Sequence, residues 1–177
     1  MSLISHKLQN IIRDIPNFPK PGILFKDITP LFHYPELWDE MTEEIIKQIK
    51  HLNINAVAGV ESRGFLLGPL IARKLNVPFI LVRKKGKLPA ETVSHQYDLE
   101  YGSAEIEVHI DSIKPNWNVL IHDDLLATGG TAKATAELVK KCGANTSAFA
   151  FIIELSFLDG SEALKSYSNN IIKLVTY

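Results

Sequence analysis

Two adjacent carboxylates, Asp123 and Asp124, lie between an apolar run and a turn built of small residues. The run at residues 119–121 predicts a strand covered on both faces, and residues 132–141 predict a helix that ends at Gly143. No bulky side chain covers the turn, so its backbone N–H groups stay accessible, and the following helix N-terminus favours an anion. The turn therefore predicts a phosphate cradle with two threonine hydroxyls as further donors. Its residues are Ala127, Thr128, Gly129, Gly130 and Thr131.

The paired acids indicate that the ligand carries more than a phosphate, because carboxylates repel a bare anion. They stand at the carboxyl end of the predicted strand, where open α/β sheets bind ligands. Carboxylates are useful there if the ligand also presents hydroxyl groups or a metal ion, as a ribose phosphate with Mg²⁺ does. The alternative is an ordinary helix with an Asp cap and a Gly-Gly turn.

Two further segments with cations follow predicted strands. Glu61-Ser-Arg-Gly64 comes after a short buried strand at residues 55–60 and precedes a helix at residues 65–75. The alternative for this segment is a salt-bridged loop without a ligand. Residues 83–87 hold four cations in five positions after a strand at residues 77–82. A solvated basic turn is the alternative here, but beside two other anion loops these cations are suited to gather the charge of a diphosphate.

Strands and helices alternate along the rest of the chain, which favours an α/β fold with a parallel sheet. Apolar spacing predicts helices at residues 3–14 and 35–52, and strands at residues 145–154 and 171–175. Residues 90–108 alternate in polarity instead, which predicts an antiparallel excursion long enough to act as a lid. The proline-rich residues 16–30 predict a rigid loop. Its alternative is a surface loop that tucks three apolar side chains into the core, those of Ile23, Leu24 and Phe25.

Composition excludes several classes of protein. A length of 177 residues fits one domain, and a net charge of −1 argues against nucleic acid or a membrane surface as partner. No apolar run approaches the ~20 residues that span a bilayer, and no signal peptide opens the chain, so a cytoplasmic location is expected. The single cysteine, Cys142, excludes an internal disulfide and is expected to pack. His122 is expected to be a buried, hydrogen-bonded imidazole.

The segment Asp123-Asp-Leu-Leu-Ala-Thr-Gly-Gly-Thr131 resembles the phosphoribosyl diphosphate-binding motif of the type I phosphoribosyltransferases. Within that family it is most similar to the adenine phosphoribosyltransferases. The resemblance implies a central, mainly parallel sheet flanked by helices, with a small N-terminal hood and an antiparallel flexible-loop excursion. It implies a single domain over residues 1–177, with an N-terminal helix and purine hood at 1–34, a core at 53–155 and a catalytic lid loop at 89–109.

Residues 18–30 look like the hood that covers the purine in adenine phosphoribosyltransferases. The resemblance implies that Leu24 supplies backbone contacts, Phe25 the stacking ring and Lys26 a neighbouring cation. A backbone C=O and N–H match the amino donor and ring acceptor that adenine presents side by side. Relatives carry Arg where this chain has Lys26, so a planar donor fork is replaced by a point charge.

The same resemblance implies roles for the two loops at residues 61–64 and 83–87. Glu61, Ser62 and Arg63 correspond to the pyrophosphate loop, in which the bond between Glu61 and Ser62 is a candidate cis peptide. Lys84 and Lys87 are expected to contact phosphate from a segment that the family places at its dimer interface. Residues 99–103 match the signature of the catalytic loop. The implied catalytic residues are Glu100 near the purine imidazole ring, Tyr101 over the reacting centre, Arg63, Asp123 and Asp124.

The implied reaction is purine salvage: transfer of the phosphoribosyl group of 5-phosphoribosyl diphosphate to adenine, giving AMP and pyrophosphate. The resemblance further implies a homodimer, and Mg²⁺ held mainly by substrate oxygens without a dedicated protein cage. One alternative is the same chemistry on hypoxanthine, xanthine or orotate. Another is a non-catalytic regulator that binds phosphoribosyl diphosphate, although no basic recognition helix for DNA is present.

Overall fold

A computed structural model of the chain describes residues 3–99 and 102–177. The helices are α1 (Leu3–Ile11), α2 (Pro35–Ile49), α3 (Gly64–Leu75), α4 (Gly130–Lys141) and α5 (Gly160–Leu164), with 3₁₀ turns at Thr29–His33 and Ser156–Leu158. The strands are β1 (Arg13–Pro16), β2 (Leu24–Asp27), β3 (Ala56–Val60), β4 (Phe79–Lys84), β5 (Thr92–Leu99), β6 (Gly102–His109), β7 (Asn118–Leu126), β8 (Asn145–Glu154) and β9 (Ile171–Thr176). The predicted α/β class is confirmed. None of the helices in the described part of the chain has the length and apolar character to cross a membrane.

Within the described ranges, seven strands form one sheet in the order β5-β6-β4-β3-β7-β8-β9. The five strands from β4 to β9 in this order run parallel, whereas β6 pairs antiparallel with β4 and with β5. Both the parallel sheet and the antiparallel excursion are thus as predicted. After β3 the chain crosses to β4 on one side, and after β7 it crosses to β8 on the other. Such a reversal opens a crevice at the carboxyl ends of the two central strands, which is where this architecture binds ligands.

The central strands are apolar on both faces because helices cover both sides of the sheet. Leu120 belongs to a buried cluster with residues of α1, α2 and α3, and its neighbour Ile121 belongs to a second cluster with residues of α4. Successive strand side chains point to opposite faces, so an unbroken apolar run fills both clusters. The sheet is therefore a rigid platform for the loops at its carboxyl edge.

The differences from the sequence predictions include two element boundaries and the course of residues 16–30, where strand β2 replaces part of the predicted rigid loop. Helix α1 ends at Ile11 rather than at residue 14, because residues 13–16 pair antiparallel with β2 in a separate two-stranded ribbon. The tucked-loop alternative for residues 16–30 is wrong, since Ile23 and Leu24 are 44% and 49% exposed. Strand β7 extends to Leu126, so the two acids lie inside it. Pairing with β8 continues past the acids, and this tertiary contact overrides the low strand propensity of aspartate.

Candidate active site

The predicted turn of small residues joins β7 to α4, and its binding of phosphate stays a prediction. The N-cap of α4 is Gly129, whose φ of 81° is a left-handed conformation that favours glycine, and no side chain caps the helix. The Asp-capped alternative is therefore wrong, and the first N–H groups of α4 lack an intrahelical partner. The loop borders a cavity of about 110 Å³ that includes Asp123, Phe151 and residues 125–132 in its lining.

Helix α5 supports this loop from behind. A Cβ atom on Gly160 would lie 2.1 Å from the Ala127 carbonyl oxygen, so only glycine permits this approach. Ser161 donates a hydrogen bond to the Glu154 carboxylate, which also accepts one from Lys173 Nζ at 2.8 Å. Sequence reasoning missed this support, because Gly160 resembles any other turn glycine until the fold places it against the loop.

The paired acids meet Arg63 at the crevice between β3 and β7. Arg63 Nε lies 2.6 Å from Oδ2 of the buried Asp124, in an ion pair whose angles are not those of a hydrogen bond. Asp123 Oδ1 accepts a hydrogen bond from the Asp124 N–H at 2.9 Å. Burial, together with the adjacent Asp124 charge, raises the pKa of Asp123 well above its ordinary value. The site thus holds two acids close together. A cation that bound beside them would stabilise the charged form of Asp123.

The loop after β3 is held against β7 and β4. The Glu61–Ser62 peptide bond is cis, which confirms the prediction for this bond. A Cβ atom on Gly64 would lie 2.7 Å from the His122 carbonyl oxygen, so the loop passes directly over β7. The Glu61 carboxylate accepts hydrogen bonds from Arg83 Nε and the Lys84 N–H, both at 3.1 Å. The Arg83 hydrogen bond lowers the pKa of Glu61, and the Glu61 carboxylate links the loop after β3 to the basic segment at the end of β4.

The basic segment after β4 is shaped by a buried acid, Glu107 of β6. Its carboxylate accepts hydrogen bonds from the N–H groups of Lys87 and Leu88, each at 3.0 Å. The side chains of Lys84 and Lys87 are exposed, and neither ammonium group has an ion-pair partner among residues 3–99 and 102–177. Their predicted contact with phosphate stays a prediction. Sequence reasoning missed Glu107, whose only signal was a charge in an alternating strand.

The ribbon formed by β1 and β2 brings the predicted hood residues to the same crevice. The Phe25 ring centre lies 5.3 Å from the Arg63 guanidinium carbon. The Phe18 ring packs edge-on against the Phe25 ring, with the two ring centres 5.1 Å apart. Leu24 is half exposed beside them. Lys26 is arranged differently: it is buried, and its Nζ lies 2.6 Å from Asp14 Oδ1. The ammonium group is therefore already engaged by the protein, and its predicted contact with substrate stays a prediction.

The β5–β6 hairpin reaches the phosphate loop. Tyr97 Oη lies 3.3 Å from Thr131 Oγ1, and Lys141 Nζ of α4 donates to the Ser94 carbonyl at 2.9 Å. Sequence reasoning did not single out Tyr97. The two catalytic residues predicted for this segment, Glu100 and Tyr101, lie outside the described residues, so their roles stay predictions.

Two residues outside the crevice match their predicted structural roles. The His122 ring is fully buried, with Nδ1 2.9 Å from the Ala150 carbonyl oxygen, and burial lowers its pKa to about 4. The imidazole is thus neutral at physiological pH. Cys142 is half-buried, and burial raises the pKa of its thiol. A raised thiol pKa disfavours the thiolate, so Cys142 is a packing residue and not a nucleophile.

Comparison with known proteins places this arrangement in a family. Residues 33–171 match the family described as phosphoribosyl transferase domain. The chain is 54% identical over 162 residues to adenine phosphoribosyltransferase of Nitrosococcus oceani, covering 92% of this chain and 95% of that protein. It is similar to the crystal structure of adenine phosphoribosyltransferase from Rhodothermus marinus, with a TM-score of 0.92, 45% identity and 98% of each chain covered. The Saccharomyces cerevisiae enzyme, crystallised with adenine and D-2,5-dideoxy-2,5-imino-altritol 1,6-bisphosphate, gives a TM-score of 0.89 at 37% identity over 98% of this chain and 99% of that chain.

Proposed function

The chain belongs to the phosphoribosyl transferase family and to its adenine phosphoribosyltransferase branch, and from this premise we propose that it converts adenine and 5-phosphoribosyl diphosphate into AMP and pyrophosphate. The observation that carries the proposal is the crevice between β3 and β7. There Asp123 and the glycine-rich loop line a cavity. Arg63 pairs with the adjacent Asp124 and lies beside the Phe25 ring. 5-Phosphoribosyl diphosphate carries a phosphate at one end of the sugar and a diphosphate on the anomeric carbon, where the flat base also bonds, so its reaction requires this combination of groups.

The phosphate loop is assigned to the 5′-phosphate of the sugar. Its amide groups and the hydroxyls of Thr128 and Thr131 donate to the phosphate oxygens, and the α4 dipole adds to the attraction. The carboxylates of Asp123 and Asp124 accept hydrogen bonds from the ribose hydroxyls and stabilise positive charge that develops on the ring. The two acids lie inside β7, just before the loop. This position supports the assignment because the ribose ring connects the 5′-phosphate to the hydroxyls that the acids bind.

The diphosphate is assigned to the loop after β3 and the basic segment after β4. Arg63 and the amides near Ser62 bind it from one side, and Lys84 and Lys87 from the other. Glu61 holds the two segments together through Arg83 and the Lys84 N–H, which supports their acting on one ligand. In the reaction the bond from the anomeric carbon to the diphosphate breaks, and its electron pair leaves with the diphosphate.

Adenine is assigned to the ribbon, with Phe25 on its face and the Leu24 backbone along its edge. Its ring nitrogen forms the new bond to the anomeric carbon and releases a proton, for which Glu100 is the proposed acceptor. Tyr101 is proposed to cover the reacting centre. A lid over the site excludes water, which would otherwise hydrolyse the cationic sugar. The contact of Tyr97 with Thr131 supports a lid formed by the β5–β6 hairpin.

Mg²⁺ is the proposed cofactor, carried mainly by diphosphate oxygens. A nearby cation would stabilise the anionic form of Asp123, whose pKa is raised by burial and by Asp124, so the acids present fit a magnesium-bearing substrate. When bound, Mg²⁺ withdraws negative charge from the leaving diphosphate. The protein side of this arrangement consists of Asp123 and Asp124, which hold the sugar beside it.

A homodimer is the proposed assembly, and the cytoplasm the proposed location. Leu70 on α3 and Leu81 on β4 are 39% and 41% exposed, and a partner subunit that covered these apolar side chains would remove them from water. A single cysteine supports a reducing compartment.

The decisive experiment supplies the protein with phosphoribosyl diphosphate, Mg²⁺ and one base at a time. AMP formation from adenine, with much slower turnover of hypoxanthine, xanthine and orotate, is the expected result. Faster turnover of another base would reassign the substrate. Tight binding of phosphoribosyl diphosphate without turnover of any base would instead favour the regulator.

A further inference from the structure

Lys26 is an unusual residue of the β1–β2 ribbon because it is only 6% exposed, whereas Leu24 is exposed and Phe25 is partly exposed. Lys26 pairs with Asp14 across the ribbon, and its Nζ lies 2.6 Å from Asp14 Oδ1. The ammonium group also lies 3.6 Å from the centre of the Tyr177 ring. The buried Lys26 ammonium group thus links the ribbon to Tyr177, which follows β9 and lies far from the ribbon in sequence.

Tyr177 is held by the core and not by the ribbon. Its N–H donates to the Glu154 carbonyl at 2.9 Å, and its own carbonyl accepts from the N–H and Oγ of Ser156 at 2.9 and 2.8 Å. The Tyr177 hydroxyl is buried and has no hydrogen-bond partner within the described ranges. The Lys26 ammonium group thus meets the ring face of Tyr177, while the hydroxyl makes no hydrogen bond to the described residues of the ribbon.

We propose that Tyr177 is a positioning residue for the base-binding ribbon, which its ring anchors through Lys26. Adjacent residues of a strand point to opposite faces, so fixing Lys26 against the core sets the position of Phe25 over Arg63. This inference rests on the proposed function, in which Phe25 stacks on adenine. It predicts that adenine binding depends on an aromatic ring at position 177, although that residue lies outside the crevice.

The test compares Tyr177→Leu with Tyr177→Phe, which keeps the ring and removes only the unpartnered hydroxyl. Tyr177→Leu is expected to raise KM for adenine about fivefold, the factor typical of losing a partly desolvated cation–π contact. KM for phosphoribosyl diphosphate should stay unchanged, because the phosphate loop is not anchored through Lys26. Tyr177→Phe is expected to match the wild type in both constants. Equal adenine KM values for the Leu and Phe variants would overturn the inference.

Hydrogen–deuterium exchange of the ribbon provides a readout that does not need turnover. Amides of residues 13–15 and 24–27 should exchange faster in Tyr177→Leu than in Tyr177→Phe, while those of β7 should not differ. If the ribbon amides exchanged at the same rate in both variants, the proposed anchoring by Tyr177 would be overturned, even if KM for adenine differed between them. Failure of the wild type to form AMP would overturn the proposed function instead, and the exchange data would still decide whether Tyr177 anchors the ribbon.

Discussion

The glycine behind the phosphate loop gives the sharpest test of how the site is built. In Gly160→Ala the new methyl group would lie 2.1 Å from the Ala127 carbonyl oxygen, and real Cβ atoms essentially never approach closer than 3.0 Å. The loop and α5 must therefore separate by about 0.9 Å. Helix α5 is tied to the end of β8 by the hydrogen bond from Ser161 to Glu154, so we expect the loop to take most of the displacement.

A shift of this size has two separate consequences. Overpacking of a close contact costs about 1–3 kcal/mol of the free energy of unfolding. Displacement of a substrate-holding group by about 1 Å can lower the rate on the order of a hundredfold. Because the loop is assigned to the 5′-phosphate, the loss should appear in kcat/KM for phosphoribosyl diphosphate. KM for adenine should change far less, since the ribbon does not contact Gly160.

Initial rates of AMP formation over a range of phosphoribosyl diphosphate concentrations measure this effect, and thermal unfolding measures the stability cost. Glu162→Ala is a matched control, because Glu162 lies on the same helix but is exposed, and its ion pair among the described residues is with Lys165 at the surface. The control should retain wild-type kinetics. A folded Gly160→Ala protein with wild-type kcat/KM for phosphoribosyl diphosphate would refute the assignment of this loop to the phosphate.

Three further predictions test the acids, the buried histidine and the metal. Asp124→Asn removes the charge that Arg63 pairs with, so kcat/KM should fall about a hundredfold with an unchanged circular dichroism spectrum; wild-type rates would contradict the role of the pair. Burial lowers the pKa of His122 from 6.5 to about 4, so its stabilising contribution is complete above pH 6.5 and is lost as pH falls towards 4. Urea unfolding at both pH values should show the wild type losing roughly 3 kcal/mol more than His122→Leu, and equal losses would contradict a buried neutral imidazole. Chelation with EDTA should abolish AMP formation, and Mg²⁺ should restore it. The unfolding midpoint should not move, because the described residues contain no group of three or more His, Cys, Asp or Glu that could hold a metal ion; activity that survives chelation would argue against magnesium.

The phosphate loop and the alternation of strands and helices were predictable because each depends on neighbours in sequence. An apolar run, small residues and a helix-forming stretch predict the strand, turn and helix between residues 119 and 141, and only the extension of the strand to Leu126 depends on pairing with β8. The resemblance to type I phosphoribosyltransferases rested on this segment, and the family is confirmed by the match over residues 33–171. The cis bond at Glu61 was likewise expected from a local motif.

The contacts that complete the site could not be predicted, because they join residues far apart in sequence. Arg63 meets Asp124 only because β3 and β7 are neighbours in the sheet, and strand order is not written in any local pattern. Gly160 and Tyr177 resembled an ordinary turn glycine and an ordinary tyrosine until the fold placed one against the phosphate loop and the other beneath Lys26. The sequence by itself determined which loops could bind phosphate, since that depends on backbone N–H groups and small side chains within a few residues. Tertiary structure alone decided which groups support those loops, since packing brings together surfaces that are complementary only after the sheet has formed.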